Sequence, residues 1–494
     1  MAWIFGDGFD CYASVVDATA GYWDSGLGPG LGQSLVAGRF AGTQAMNINT
    51  GNASPFFVKS SAVNDAVHHI VVAFRQTAAL SGTTLGLYFQ LTDVAANQCC
   101  IVFRSDGTVL LTSATPAGTV LATYSGAVTA ANTWFAFEFE VIISNTVGRF
   151  RARKNGNASD DFDSGASLNT RPGANAYANK LAIGMNATVS NQQIDDFLWR
   201  SDASSVPWVG DIRCYTRLPA SDASAQFARV PVTNTQQAAT GASSVTVFNG
   251  TARYVPFIPT YSGTVGTVTT PFQSATTCNM KCSIFASSGS APTTALGSAT
   301  PVALSAALLG TFTFGTPVAV VKGTQYWIGF DADATSGTYT CTAGTTGLSS
   351  ATAYASFPVA SPTTSAAQAP ISSFVVTTTV NADMVNETLQ DGTTSYVYDG
   401  TVGHEDFYNI AALAATPTST VAVITRGFMS KSDTQNRFGT VQIKNGGTTV
   451  AATSVNLSSS FGWVWRVDTT DPATGAAWTA AGVNTAQIGP KVIS

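Results

Sequence analysis

The sequence predicts an all-β protein made of several β-sandwich domains. Two observations carry this prediction: short runs of β-branched and aromatic residues recur along the whole chain, and clusters of turn residues separate them about every ten residues. A third is composition. Only 10% of the 494 residues are charged, against about 25% in typical soluble proteins. Hydrophobic residues make up 45% of the chain, which is enough to bury a core in each domain.

Residues 1–210 are predicted to form the first domain. Its clearest strand is Trp134–Val141, in which phenylalanines alternate with Glu138 and Glu140. Because successive strand side chains point to opposite faces, we expect the phenylalanines in the core and both glutamates in solvent. The arginines of Arg149–Arg153 also point outward, so acids and arginines can pair across a hairpin.

The rest of the chain is predicted to contain a split domain and an insertion. Residues 228–370, low in charge and rich in Ser, Thr, Gly and Ala, are predicted to be an inserted small β-sandwich domain. Residues 211–227 plus 371–494 are then predicted to form a second, discontinuous β-sandwich domain. Within it, Asn445–Gly447 predicts a hairpin turn, and the one plausible short helix lies near Thr479–Asn484.

The charge pattern disfavours several partners. The formal net charge is −5, and Lys and Arg gather into no basic stripe, so we expect no nucleic acid. No run of about eighteen apolar residues occurs, so we expect no membrane span. The N-terminus lacks the basic and apolar stretches of a secretory signal. A virion protein would explain a composition typical of extracellular proteins without a signal, because it folds in the host cytoplasm and leaves by lysis.

The cysteines and histidines predict no cofactor and no metal centre. Seven cysteines are an odd number, and their spacing fits neither a disulfide framework nor zinc ligands. We therefore expect them to be small buried hydrophobic residues. Of the three histidines, the neighbours His68 and His69 point to opposite faces of a strand, so at most one of them can join any site.

Two groups of acids are candidate sites. Glu138 and Glu140 lie about 7 Å apart along a strand, near the separation used by retaining glycosidases. Nearby arginines keep both ionised, which is unsuited to a general acid, so no catalytic residue is predicted. Four aspartates could cluster and bind calcium if the first and last strands pair. Structural roles in turns and at sheet edges are the favoured alternative for these four: Asp7, Asp10, Asp195 and Asp196.

Tryptophans could supply a sugar-stacking platform, although aromatic residues on sandwich strands more often belong to the core. Trp463 and Trp465 share one face of their strand, which predicts an aromatic face in the last domain. The remaining candidates are Trp134, Trp199, Trp208 and Trp327.

Several short motifs resemble a family of tailed-bacteriophage virion proteins. They are Phe5–Tyr12, Ile194–Trp199 and Val209–Arg213 in the first region, with Ser395–Val397 and Asp471–Thr479 near the C-terminus. The resemblance implies an N-terminal concanavalin-A/laminin-G-like jelly roll. In the family's simpler pattern the Gly-Asp-Ile-Arg and Ser-Tyr-Val motifs follow one another closely. Here the middle region separates them, which is the basis for predicting an insertion.

The resemblance implies a non-enzymatic structural protein on the exterior of the virion, such as a head decoration, a head fibre or a tail appendage. The expected partners are capsid or tail proteins and further copies of the chain, with a trimer as one arrangement. The first alternative is a glycan-binding adhesin of a phage fibre, which would bind a cell-surface glycan. The less favoured alternative is a polysaccharide depolymerase.

Overall fold

In the computed structural model the protein is all-β and contains several β-sandwich domains. The described residues are 3–18, 22–26, 33–48, 52–186, 192–204, 206–229, 234–237, 243–247, 251–274, 277–304, 308–333, 337–351, 353–358, 364–370, 372–378, 380–387, 389, 393, 395–413 and 415–494. Among them, no helix is both long and apolar enough to cross a membrane. The described residues group into two compact units: one comprises residues 1–226, 386–392 and 399–494, and the other residues 227–385 and 393–398.

The first unit begins with a two-sheet sandwich, whose strands are interrupted near the start by helix α1, Val15–Ala18. The strands are β1 Trp3–Asp7, β2 Ser25–Gly26, β3 Gln33–Ala37, β4 Gln44–Ile48, β5 Asn52–Asp65, β6 Val67–Gln76, β7 Leu85–Thr92, β8 Asn97–Arg104, β9 Val109–Ser113, β10 Val120–Tyr124, β11 Phe135–Ile142, β12 Arg149–Lys154, β13 Phe162–Asp163, β14 Ala178–Met185 and β15 Gln192–Asp202, followed by β16 Pro219–Ser224.

The two sheets of this sandwich enclose one large apolar core. The front sheet has the order β13-β12-β11-β6-β15-β4-β3, with β1 also paired to β15, and the back sheet has the order β10-β9-β8-β7-β14-β5-β2. As the alternation in β11 predicted, Phe135, Phe137 and Phe139 point into the core, between the sheets. First and last strands do pair, since Trp3–Asp7 lies antiparallel to Phe197–Ser201.

The second unit is a separate sandwich. Its strands are β17 Ala228–Arg229, β18 Asn234–Gln237, β19 Ser243–Val247, β20 Ala252–Phe257, β21 Gly263–Ser274, β22 Cys278–Ser287, β23 Pro292–Ser298, β24 Val302–Leu304, β25 Leu308–Val320, β26 Tyr326–Ala332, β27 Gly337–Ser350, β28 Thr364–Pro370, β29 Ser373–Thr378 and β30 Val397–Tyr398. Short 3-10 helices span Tyr354–Ser356 and Ala382–Met384. The apolar core lies between strands that include β20, β22, β25 and β26.

The C-terminal part of the first unit adds two smaller sheets. Its elements are β31 Phe407–Ile410, β32 Val423–Met429, β33 Phe438–Asn445, β34 Thr448–Ala451, β35 Val455–Asn456, β36 Gly462–Asp468, helix α2 Ala480–Thr485 and β37 Gln487–Val492. One sheet runs β16-β31-β37-β33-β34, and β32 pairs with β36 in the other. Helix α2 confirms the predicted short helix, and the Thr479 side chain caps it by accepting a hydrogen bond from the Gly482 N–H.

Turns, including the one predicted at Asn445–Gly447, lie where glycine adopts a positive φ. Gly446 and Gly447, with φ of 53° and 87°, connect β33 to β34. Gly323, with φ of 74°, connects β25 to β26. The boundaries predicted for three domains, at 210, 227 and 370, stay a prediction.

Candidate functional site

The two candidate catalytic glutamates lie on the outer face of the front sheet, but they are not exposed to solvent. Glu138 and Glu140 are 2% and 3% exposed. The expectation that both face solvent is therefore wrong. Alternation along β11 correctly gives the face, but the extended segment 206–217, more than 60 residues further along the chain, lies over it. Val209 and Gly210 of this segment each donate a backbone hydrogen bond to Glu138, at 2.8–3.0 Å.

His69 joins the two glutamates from the neighbouring strand β6. Its Nδ1 lies 3.1 Å from Glu138 Oε1, and its Nε2 lies 3.0 Å from Glu140 Oε2. Burial opposes charge on the imidazole, but the hydrogen bonds to both carboxylates outweigh it and raise the pKa of His69. Burial also acts to raise the pKa of Glu140, yet hydrogen bonds from His69 and Arg151 lower it. The cluster is a buried ionic network.

Arginines and an aromatic ring complete this network. Arg151 donates two hydrogen bonds of 2.7 Å to Glu140, which confirms that acids and arginines pair across the β11–β12 hairpin. The Trp208 ring lies beneath the guanidinium carbons of Arg151 and Arg153, at 5.2 and 4.3 Å, and edge-on to His69. Each carboxylate oxygen of the two glutamates accepts at least one hydrogen bond. The role of these two glutamates is therefore structural: their network holds segment 206–217 against the sheet.

His68, the neighbour of His69, points into the core as the alternation predicted. It accepts a hydrogen bond from Trp199 Nε1 at 3.2 Å, and its Nε2 lies 2.9 Å from the Asp65 carbonyl oxygen. Burial lowers the pKa of His68 to about 4, so this ring is neutral near pH 7. The two histidines belong to different environments.

Asp195 and Asp196 lie at an irregularity in the middle of β15, where its pairing with β6 shifts register. Asp195 accepts a hydrogen bond from the Arg39 N–H at 2.7 Å, and Asp196 accepts one from the Cys214 N–H at 2.7 Å. Burial and the neighbouring Asp196 charge raise the pKa of Asp195 to about 7. Burial also raises the pKa of Asp196 to about 6. Asp196 adopts a left-handed φ of 48°, which favours glycine and marks local strain.

The other two aspartates are held separately. Asp10 accepts hydrogen bonds from the Gln44 N–H at 2.7 Å and from the Thr216 hydroxyl at 3.3 Å. Within the described ranges, no three His, Cys, Asp or Glu side chains are arranged to hold a metal ion. Asp10 and Asp196 thus add two further attachments for segment 206–217, and Asp195 holds the turn at Arg39.

Asp7 belongs to a different cluster, which holds an arginine of strand β32. Arg426 inserts between aromatic rings, 4.3 Å from the Tyr22 ring and 5.5 Å from the Trp463 ring. Its Nη1 donates to the Tyr12 hydroxyl at 3.2 Å and lies 3.7 Å from Asp7 Oδ1. The Tyr12 hydroxyl in turn donates to Asp7 at 2.5 Å. We call Arg426 with Asp7, Tyr12, Tyr22 and Trp463 the arginine box.

The sequence pattern does not predict the arginine box, although it predicts the aromatic face to which Trp463 belongs. Trp463 and Trp465 do share a face, and this face packs against the core of the N-terminal sandwich. Trp463 Nε1 donates a hydrogen bond to the Asp17 carbonyl oxygen at 2.9 Å. The ring centres of Trp465 and Phe5 are 5.9 Å apart. The sequence around Arg426 does not indicate that Asp7 is its partner, because the two residues are more than 400 positions apart.

The remaining candidates are structural. The described cysteines are free, and all are buried except Cys214, which is partly buried; the Cys341 side chain lies outside the described residues. Trp199 and Trp327 are buried. Two surface cavities, of about 370 and 350 Å³, contain none of the candidate acids. Phe227, Ala228, Arg229, Thr377 and Thr378 line the first, and Ser60, Ser61, Asp93, Val94, Asn179 and Lys180 line the second.

Comparison with known proteins gives no family. No family model matches the chain, and no curated protein matches it significantly. Among solved structures, the chain is similar to a conserved carbohydrate esterase of the Shiga toxin-encoding bacteriophage phi24B, with 13% identity over 35% of this chain and 88% of that chain and a TM-score of 0.26.

Two further structures show similarity of the same kind. The N-terminal tandem CBM22 domains of Paenibacillus barcinonensis Xyn10C match with 10% identity over 68% of this chain and 94% of that chain, at a TM-score of 0.19. Domains LG4-5 of the mouse laminin α1 chain match with 10% identity over 76% of this chain and 96% of that chain, at a TM-score of 0.22. At these scores the similarities carry no argument about function.

Proposed function

We propose that this protein is a non-enzymatic structural and interaction protein on the exterior of a bacteriophage particle. The observation that carries the non-enzymatic part is the state of the candidate acids. Glu138, Glu140, Asp10, Asp195 and Asp196 are buried and hydrogen-bonded to backbone or to neighbouring side chains. Their hydrogen bonds join different segments of this chain, which is the role expected of acids in a structural protein.

The phage assignment is supported by sequence. The motifs Phe5–Tyr12, Ile194–Trp199 and Val209–Arg213 resemble those of tailed-phage virion proteins. In the structure these three segments are neighbours: β1 pairs with β15, and the Cys214 N–H, next to the third motif, binds Asp196 of the second. Because the three motifs are neighbours in space, they support an architecture shared with those virion proteins better than motifs far apart in the fold would. Partners would be capsid or tail proteins and further copies of this chain.

Quantitative mass spectrometry of purified particles of the encoding phage tests the proposal. We expect the protein in the particle at a stoichiometry that matches its symmetry. Hundreds of copies would identify a head decoration, and a small multiple of three or six would identify a fibre or a tail appendage. Absence from purified particles, with the protein present in the lysate, would contradict the proposal.

Glycan recognition is the second candidate function. A row of polar side chains crosses the outer face of the front sheet and ends at Arg75 and Trp134, which are partly exposed. Arg75 lies 4.9 Å from the centre of the Trp134 ring. A guanidinium and an indole held together in this way can bind the charged and the apolar parts of a sugar.

A further inference from the structure

The outer face of the front sheet carries a row of residues that lie directly opposite one another on adjacent strands. Ser34 of β3 pairs with Asn47 of β4, Asn47 with Gln193 of β15, and Gln193 with Arg75 of β6. Trp134, which directly precedes β11, continues the row beside Arg75. Four steps of about 4.8 Å give the row a length of about 19 Å.

Hydrogen bonds link the side chains of this row from end to end. Arg75 Nε donates to Gln193 Oε1 at 2.7 Å, Gln193 Nε2 donates to Asn47 Oδ1 at 3.3 Å, and Asn47 Nδ2 donates to Ser34 Oγ at 3.2 Å. Gln193 and Asn47 are each 6% exposed, so they serve to position the ends of the row. The ends themselves, Ser34 on one side and Arg75 with Trp134 on the other, reach solvent.

Arg75 is a positive charge that neutral groups hold in place. Its side chain is fixed by the Gln193 amide and the Trp134 ring, and no carboxylate of the described residues lies within ion-pair distance. Its two terminal nitrogens, Nη1 and Nη2, donate no hydrogen bond to any described residue, and they are not buried. By contrast, Arg149 and Arg151 on the same sheet, and Arg39 just after β3, each pair with an acid.

We propose that Arg75 and Trp134 form a binding site for a carboxylate-bearing sugar of a cell-surface glycan, such as a uronic acid or a sialic acid. The terminal nitrogens of Arg75 present parallel N–H donors that match a carboxylate, and such charge-assisted pairs are among the stronger hydrogen bonds. Trp134 offers apolar surface to the ring of the same sugar. Because the row already fixes Arg75, binding loses little side-chain entropy.

The chemistry favours a glycan over other anionic partners. A nucleic acid needs several cations for its phosphates, whereas one unpaired arginine lies here on a chain of net charge −5. A protein partner needs a cluster of apolar anchors, and Trp134 is the sole large apolar side chain of the row. A single acidic sugar needs one cation, one ring face and a few hydroxyl partners.

Binding is measured by calorimetry on the full chain with two probes, a short oligogalacturonate and sialyllactose, each beside a neutral counterpart. The carboxyl-reduced oligogalacturonate and lactose are the counterparts. We expect saturable binding of one acidic probe, weaker at higher salt, and none of its neutral form. The responding probe tells the two acidic sugars apart. No binding of either probe, or equal binding of the neutral forms, would overturn the proposal.

Three variants locate the site. Arg75→Ala should weaken binding ten- to a hundredfold, whereas Arg149→Ala, which removes an equal charge from the same sheet, should leave it unchanged. Gln193→Glu supplies Arg75 with a carboxylate partner in place and should also abolish binding. Arg75→Lys should keep part of it. Thermal melts establish that each variant is folded.

Unchanged affinity in folded Arg75→Ala and Gln193→Glu proteins would refute the site even if the glycan binds elsewhere. The proposal gives the second candidate function a location and a ligand class. It does not depend on the position of the protein in a particle, so particle composition and sugar binding can fail independently.

Discussion

The two compact units are stabilised by different kinds of interaction. Buried charges join the segments of the first unit: the arginine box, the Glu138–His69–Glu140 network, and the aspartates Asp10, Asp195 and Asp196. The second unit has only seven charged residues, which are Arg229, Arg253, Lys281, Lys322, Asp331, Asp333 and Asp383. Its inner face is almost purely apolar. The comparison teaches that a chain with few charges can still concentrate them where distant segments must be joined.

The difference has a physical cause. A hairpin register fixes neighbouring strands by backbone hydrogen bonds, but among the described residues no strand pairing joins segment 206–217 or the β32–β36 pair to the sheets of the N-terminal sandwich. Buried carboxylates that accept backbone N–H bonds, and an arginine that fits one aromatic box, give such contacts a unique geometry. The second unit, as far as it is described, joins its strands mainly through ladders and apolar packing.

The strongest test removes the arginine of the box. Arg426→Met deletes the charge but keeps much of the side-chain volume, so Asp7 stays buried without its cation. We expect a loss of about 3–5 kcal/mol in the free energy of unfolding of the first unit, since breaking a buried pair leaves an uncompensated charge. Denaturant unfolding followed by tryptophan fluorescence measures it.

Arg437→Met is the matched control for this variant. Arg437 pairs with Asp433 four residues away, and both side chains are 39% exposed. Exposed pairs contribute about 0–1 kcal/mol. Equal losses in the two variants would mean that the arginine box is no more important than a surface ion pair.

In the second unit the largest losses should come from apolar side chains. Ile284 of β22 is fully buried in the core, and Ile284→Ala should cost about 2–4 kcal/mol through lost burial and the cavity left behind. Leu309 of β25 is 61% exposed, and Leu309→Ala should change stability by less than about 0.5 kcal/mol. Hydrogen exchange resolved along the chain assigns each effect to its unit. A small loss for Ile284→Ala would break the contrast.

Asp331 sharpens the comparison, because it is a fully buried acid in the unit that has few charges. It is 0% exposed, its Oδ1 accepts a hydrogen bond from the Ala332 N–H, and its Oδ2 accepts no hydrogen bond from any described residue. Burial raises the pKa of Asp331 to about 6. Stability from this group is therefore full below the unfolded pKa of 3.8 and is lost as the pH rises through about 6.

Asp331→Asn keeps the acceptor at Oδ1 and removes the charge. We expect the variant to be more stable than the wild type by about 1–2 kcal/mol at pH 8, with the difference vanishing near pH 4. Thermal melts across this range measure it. A variant that is less stable at pH 8 would show that the carboxylate has a favourable partner.

The sequence predicted the fold class and the local elements better than the contacts between distant segments. Alternation in Trp134–Val141 correctly separated core phenylalanines from outward glutamates, because the pleat of one strand is a local property. The turn residues Asn445–Gly447 marked a hairpin for the same reason. Local patterns therefore predicted strands, faces and turns.

What the sequence could not predict is what lies over each face. The pattern around Glu138 and Glu140 is that of a solvated strand, and nothing nearby indicates that Val209 and Gly210 cover it. Asp7 and Arg426 are likewise joined only by the tertiary fold. The row from Ser34 to Trp134 combines residues of five strands or strand ends, so its members cannot be recognised as a group until the strand order β3-β4-β15-β6-β11 is known.

The smallest effect, and the most specific to the first unit, concerns His69. Its raised pKa means that the charged form is favoured by folding. Stability from this residue is full below the unfolded value of 6.5 and is lost as the pH rises through the higher folded value. His69→Gln cannot carry the charge that bridges the two glutamates, so we expect a loss of about 1 kcal/mol at pH 6 that shrinks at higher pH.

His404→Gln is the control, because His404 is 39% exposed and contacts one acid, Asp399, at 2.8 Å. Its effect should stay within about 0.5 kcal/mol across the same range. Proteolysis of segment 206–217 gives a second measurement, since Val209 and Gly210 depend on Glu138, and cleavage of the wild type should rise with pH. If the His69→Gln protein and the wild type show the same pH dependence, His69 does not bridge the glutamates as a cation. The segment would then be held by its backbone hydrogen bonds alone.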